Sequence, residues 1–95
     1  MHFTLLKYLK SFTDGRIRIR HPALHNPKTA ALVQEKMQAT HGVSSITCNT
    51  VSGSVLILYD SAVLSKEALI EMGTAWALYL DSIQQGKTAA PPDFS

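Results

Sequence analysis

The stretch Arg16-Ile17-Arg18-Ile19-Arg20 alternates a cation with a β-branched apolar residue over five positions and holds all three arginines of the chain. Side chains two residues apart on a strand share a face, so Ile17 and Ile19 can enter a core while the guanidinium groups stay in water or meet an anionic partner. A strand built this way belongs to a sheet covered on one side only.

On the carboxyl side of this strand, Arg16 to His21, Pro22 and Pro27 bracket a loop. Asn26 stands where a helix is capped and Pro27 where the first helical residue falls, so a helix is expected over Pro27 to about Thr40. Its inward side would carry Ala30, Ala31, Val33 and Met37, with Leu32 as a further candidate. His41-Gly42 ends it. Val43 to Asn49 reads as a second strand with Ile46 and Cys48 on one face, and Ser54 to Tyr59 as a third, joined into a hairpin by the turn residues Thr50 to Gly53. Ser65 can cap a last helix that continues to about Ile83, with Glu67 and Glu71 near its positive end. Gly86 to Ser95, with Pro91 and Pro92, reads as a flexible tail.

On the amino side, Asp14-Gly15 is a turn, and Leu5, Leu6, Leu9 and Phe12 recur at helical spacing with Lys7 and Lys10 on another side. Residues 1–14 are therefore expected as an amphipathic leader helix, residues 15–85 as the domain and residues 86–95 as the tail. After the leader the order is β-α-β-β-α, an α+β split β-α-β sandwich with two helices over one face of an antiparallel sheet. The fourth strand that usually closes this motif is missing, since nothing after Gln85 has strand character. The arginine strand is then expected at an open edge, where charged residues discourage pairing with other chains. The last helix is apolar on nearly all sides, so Trp76 and Tyr79 are expected to pack on the leader helix or on a second copy, in a homo-oligomer such as a dimer.

Ninety-five residues with 45% hydrophobic content suit one small domain. The formal charge of +2 conceals a polarity, because Lys7, Lys10, Arg16, Arg18, Arg20 and Lys28 face only Asp14 among the first 28 residues. Such a chain can orient toward an acidic protein surface, an anionic membrane or phosphate, within a screening distance of about 10 Å. Cys48 is the only cysteine, which excludes an internal disulfide and a multi-cysteine zinc site in one chain and fits a reducing cytoplasm. Apolar runs fall short of the roughly 20 residues of a membrane span, and Met1 to Phe12 lacks the marks of a signal peptide, so membrane association is expected only through a partner.

The segments Gly15-Arg16-Ile17-Arg18-Ile19-Arg20, His41-Gly42-Val43, Asn49-Thr50-Val51-Ser52-Gly53-Ser54 and Leu58-Tyr59-Asp60, taken in order, resemble the divergent second type of the heavy-metal-associated domain superfamily. The resemblance covers about half the chain. It implies a ferredoxin-like fold and a place in bacterial metal homeostasis, with iron as the expected metal, beside a P-type metal-transporting ATPase or an iron-storage component. The superfamily's metal loop carries two cysteines, whereas here it reads His21-Pro22-Ala23-Leu24-His25-Asn26. The thiolate site is absent, so no cofactor is expected, and the resemblance implies an accessory domain rather than an enzyme.

Three alternatives set this reading in relief. His21 and His25 flank the loop where relatives hold metal, and imidazole binds transition metals, so a metal-binding chaperone using this pair is the rival. Acylphosphatases share the size and fold class, and the hairpin around Asn49 resembles theirs, but His21 to Asn26 lacks the glycine and arginine that cradle an oxyanion. Nucleic acid is not expected, since the arginine strand carries no aromatic residue on which bases could stack. The reading that follows is a non-catalytic interaction domain in which Arg16, Arg18 and Arg20 dock an anionic partner.

Overall fold

The computed structural model describes residues 7–92 and contains an antiparallel four-stranded sheet with two α-helices. In chain order these are β1 (Leu9–Thr13), β2 (Arg16–Arg20), a 3-10 turn (Pro22–His25), α1 (Pro27–Gln38), β3 (Val43–Asn49), β4 (Ser54–Tyr59) and α2 (Lys66–Gln84). The strands lie in the order β1-β2-β4-β3. This is the α+β, ferredoxin-like sandwich that the sequence implies.

One element differs from expectation. Residues 1–6 of the expected leader helix lie outside the described residues, Lys7 and Tyr8 are helical, but Leu9 to Thr13 form a strand paired antiparallel with β2. The closing fourth strand is thus present, supplied from the amino end and laid beside the arginine strand. Its disguise has a simple cause. Leu9 pairs with Ile19 and Phe12 with Ile17, and the register shifts between Leu9 and Ser11, so a bulge at Lys10 returns two apolar residues three apart to the same sheet face. A spacing of three is what a helix also shows. The Asp14-Gly15 pair is the two-residue connection of this β1–β2 hairpin, with Gly15 at φ 82°.

The remaining elements follow their local signals. The Asn26 side chain accepts from the Lys28 amide at 2.9 Å and Pro27 opens α1, which buries Ala30, Val33 and Met37 on one face. Ser65 accepts from the Ala68 amide at 3.1 Å to start α2. That helix buries Leu69, Met72, Gly73, Trp76, Ala77 and Leu80, a single stripe at helical spacing, and leaves Ile70 and Leu78 exposed. The core forms between this stripe, α1 and the inward residues Ile17, Ile19, Ile46, Val55, Ile57 and Tyr59 of the sheet, with Leu9 and Phe12 packed at its margin.

Trp76 turns into the core of its own chain. It is 4% exposed, belongs to the core and meets the Tyr79 ring edge-on at 5.7 Å, while Tyr79 is half-buried beside it. The helix looked apolar on all sides because Ile70 and Leu78, outside the buried stripe, stay exposed.

Candidate functional site

Two regions bear on function: the uncovered face of the sheet and the turn between β2 and α1.

On the sheet, Ile17 and Ile19 are buried and Arg16, Arg18 and Arg20 exposed, as alternation requires. Strand geometry spaces successive guanidinium-bearing positions about 6.6 Å apart, so the three span about 13 Å. Across β4 they oppose Leu58, Leu56 and Ser54, and across β1 Arg16 opposes Thr13 and Arg18 opposes Ser11. The cationic row therefore runs beside two leucines, of which Leu58 is 37% exposed, and a row of hydroxyl side chains. Among the described residues no carboxylate forms an ion pair with any of these arginines.

Their position corrects the expected edge. β2 is flanked by β1 and β4, so its backbone is paired on both sides and the arginines guard no open edge. The edges are β1 and β3.

The β2–α1 turn is held by side chains that the sequence did not connect. His21 is 1% exposed, and its Nδ1 accepts from the Ala23 amide at 3.0 Å, capping the 3-10 turn. The ring proton must then sit on Nε2, which donates to Asp81 Oδ1 at 2.8 Å. The same oxygen accepts from the Tyr8 hydroxyl at 2.6 Å, and the Tyr8 and His21 rings lie 4.3 Å apart. Burial alone would raise the Asp81 carboxyl, but the hydrogen bonds from Tyr8 and His21, helped by the charge of Lys7, outweigh it and hold the group below its ordinary range. The Tyr8 phenol is pushed up by its bond to Asp81, by burial and by the carboxylate charge.

His25 is engaged elsewhere. Its Nδ1 donates to the Thr50 carbonyl at 2.8 Å, and its ring lies over Gly53, where an added Cβ would fall 2.8 Å from Nε2. Both nitrogens of His21 are thus taken by protein partners and one of His25, and among the described residues no cluster of three or more His, Cys, Asp and Glu side chains could hold a metal ion. The expected ligand pair is a capping residue and a hairpin brace. Asn49 is likewise spent on its own turn, its Oδ1 accepting from the Val51 and Ser52 amides at 3.0 and 3.3 Å. Cys48 is half-buried against the core with its thiol aimed at the Ala30 carbonyl at 3.5 Å, and burial raises its pKa.

Tyr8 and Asp81 were missed by sequence reasoning, though Asp81 carries a legible signal. A carboxylate near the last turn of a helix opposes the partial negative charge there, and no basic residue occupies that turn of α2. An acid so placed needs a donor from elsewhere, and the turn residue His21 and strand-leading Tyr8 supply two.

Fold and turn together define a ferredoxin-like domain whose β-α loop carries no thiolate pair. Residues 4–89 match the family described as heavy metal associated domain 2, and the chain belongs to it. Domains of this kind serve in metal binding or metal homeostasis and engage proteins such as metal transporters. No curated protein and no solved structure matches the chain. No helix among the described residues is long and apolar enough to cross a membrane.

Proposed function

We propose that this domain is a non-catalytic adaptor in bacterial metal homeostasis, with iron as the metal handled, and that Arg16, Arg18 and Arg20 dock an acidic surface of a cytoplasmic partner protein. The partner would be a metal-transporting ATPase or an iron-storage component. The observation that carries this reading is the uncompensated row itself: three exposed guanidinium groups on an interior strand, without ion pairs among the described residues and without an edge to protect. Arginine suits such docking because its planar fork binds carboxylates in pairs. The neighbouring Leu56 and Leu58 add apolar contact that a purely solubilising face would not need.

The test is charge reversal. Arg16→Glu, Arg18→Glu and Arg20→Glu together should leave the circular dichroism spectrum and melting temperature close to wild type. Calorimetric binding to the soluble region of a metal-transporting ATPase, or to an iron-storage protein, encoded beside this domain should weaken by 100-fold or more, as expected for the loss of several charge-assisted contacts of about 1 kcal/mol or more each. Undiminished binding by the triple variant would remove the arginines from the interface. Binding by vesicles of anionic lipid but by neither protein would assign the row to a membrane surface instead.

A further inference from the structure

The two edges of the sheet are defended unequally. β1 is five residues long, carries Lys10 and is broken by the bulge at that residue, which are the devices that keep an edge from pairing. β3 is seven residues, Val43-Ser44-Ser45-Ile46-Thr47-Cys48-Asn49, with no charged residue and no proline. Its one irregularity lies between Val43 and Ser45, so Ser45 to Asn49 runs in regular register along β4. Among the described residues nothing pairs with its outer side, because β3 ends the strand order. An edge of this kind offers a free row of amide and carbonyl groups.

We propose that β3 is a homotypic interface, through which two copies of the chain pair antiparallel about Thr47 into a continuous eight-stranded sheet. The regular part of the strand is self-complementary about that residue. Thr47 meets Thr47 of the second copy, Ile46 meets Cys48, and Ser45 meets Asn49. The sheet faces also agree, since Ile46 and Cys48 point toward the core while Thr47 and Asn49 are exposed. Directly opposed residues share a face, so the pairing joins apolar with apolar and hydroxyl with hydroxyl or amide. A one-residue slip would set Ile46 against the polar side of its partner.

Electrostatics does not oppose this union. The arginine strands of the two copies would be separated by five strand spacings, about 24 Å, well beyond the roughly 8–10 Å over which exposed charges are felt at physiological ionic strength. The assembled sheet would present both arginine rows on one side, so an acidic partner could be met twice. The pairing stands on β3 alone and does not rest on the docking role of the arginines. A single short strand pair buries little area, which makes this a weak, concentration-dependent dimer.

Sedimentation velocity between about 10 μM and about 1 mM, the range where small interfaces associate, should show a monomer–dimer equilibrium. Thr47→Lys places two ammonium groups face to face at the two-fold axis while leaving the exposed, outward position foldable. It should weaken association at least tenfold, and Lys10→Thr on the other edge should leave it unchanged. A positive test uses Thr47→Cys with Cys48→Ser. Opposed residues in an antiparallel pair lie about 4.5–5.5 Å apart, within reach of a disulfide, so mild oxidation should give a covalent dimer that retains the wild-type spectrum. A strictly monomeric wild type, dimerisation untouched by Thr47→Lys, or no cross-link from Thr47→Cys would each overturn the pairing. The charge-reversed arginine variant should still dimerise, which separates failure here from failure of the docking proposal.

Discussion

Replacing Asp81 by alanine should loosen the domain at the join between its first strand, its β-α turn and its last helix. The magnitude can be worked from the contacts. Asp81 accepts two hydrogen bonds on one oxygen, from Tyr8 and from His21, and its side chain is 25% exposed. Hydrogen bonds to charged groups contribute about 1.5–3 kcal/mol each, and partial hydration argues for the lower end. The two donors fare differently after truncation. Tyr8 is only half-buried and can turn to water, whereas the His21 ring is sealed and its Nε2–H loses its acceptor. We therefore expect Asp81→Ala to cost about 3 kcal/mol and Tyr8→Phe about 1 kcal/mol, against a total stability of about 5–15 kcal/mol for a small domain. Urea unfolding followed by circular dichroism measures both. In the double variant the Tyr8 change should cost almost nothing more, a coupling of about 1 kcal/mol, and amide exchange in Leu9 to Thr13 should accelerate most. The pH dependence carries its own sign. Because the folded state holds the Asp81 carboxyl below its ordinary value, its contribution is complete above the unfolded value near 3.9 and fades as pH falls through the lowered one. The stability gap between wild type and Asp81→Asn should close in that acidic window. Strict additivity in the cycle, or a gap that persists at acid pH, would show that the three side chains do not act together.

Two further substitutions examine neighbouring parts of the frame. Gly53→Ala should destabilise by about 1–3 kcal/mol in thermal unfolding, since the residue sits at φ 69° and its new Cβ would meet His25 Nε2 at 2.8 Å and the His21 carbonyl at 3.0 Å; a neutral result would mean that the turn can shift its backbone as well as the His25 ring without loss. Trp76→Ala should cost about 3–5 kcal/mol at any protein concentration, as a core residue must, whereas Trp76→Phe should cost far less because it also removes a buried N–H that has no partner among the described residues. A loss that shrinks as protein concentration rises would return Trp76 to a subunit interface.

Much of the fold is legible in local chemistry. The alternation at Arg16 to Arg20, the Asn26-Pro27 start of α1, the Asn49 to Gly53 turn and the Ser65 cap each state their own conformation within a few residues. What cannot be read locally is which strands become neighbours. Leu9 and Phe12 show helical spacing, and only the bulge at Lys10, visible once β1 lies against β2, turns that spacing into one face of a strand. The Asp14-Gly15 pair was itself a hairpin signal, and it gains that meaning only if a strand precedes it. The same non-local step decides whether the arginines sit at an edge or inside the sheet.

That step also bears on where the domain works. The fourth strand comes from the amino end, so the chain must fasten that strand to a body completed by elements far along the sequence. Tyr8 follows the helical residue Lys7 and directly precedes β1, Asp81 lies 73 residues later on α2, and His21 stands between them at the start of the β-α turn. An imidazole whose two nitrogens cap the turn and bind Asp81 cannot reach a metal without giving up one of those bonds, and in a sealed site each loss costs about 1–3 kcal/mol. The turn is thereby committed to closing the fold. The arginine face carries no such commitment, because its guanidinium groups brace nothing among the described residues and β2 is already paired on both sides. Substitution there should change binding and spare stability, while substitution in the turn should change stability first, and that opposite pattern is what the proposed docking role of the sheet requires.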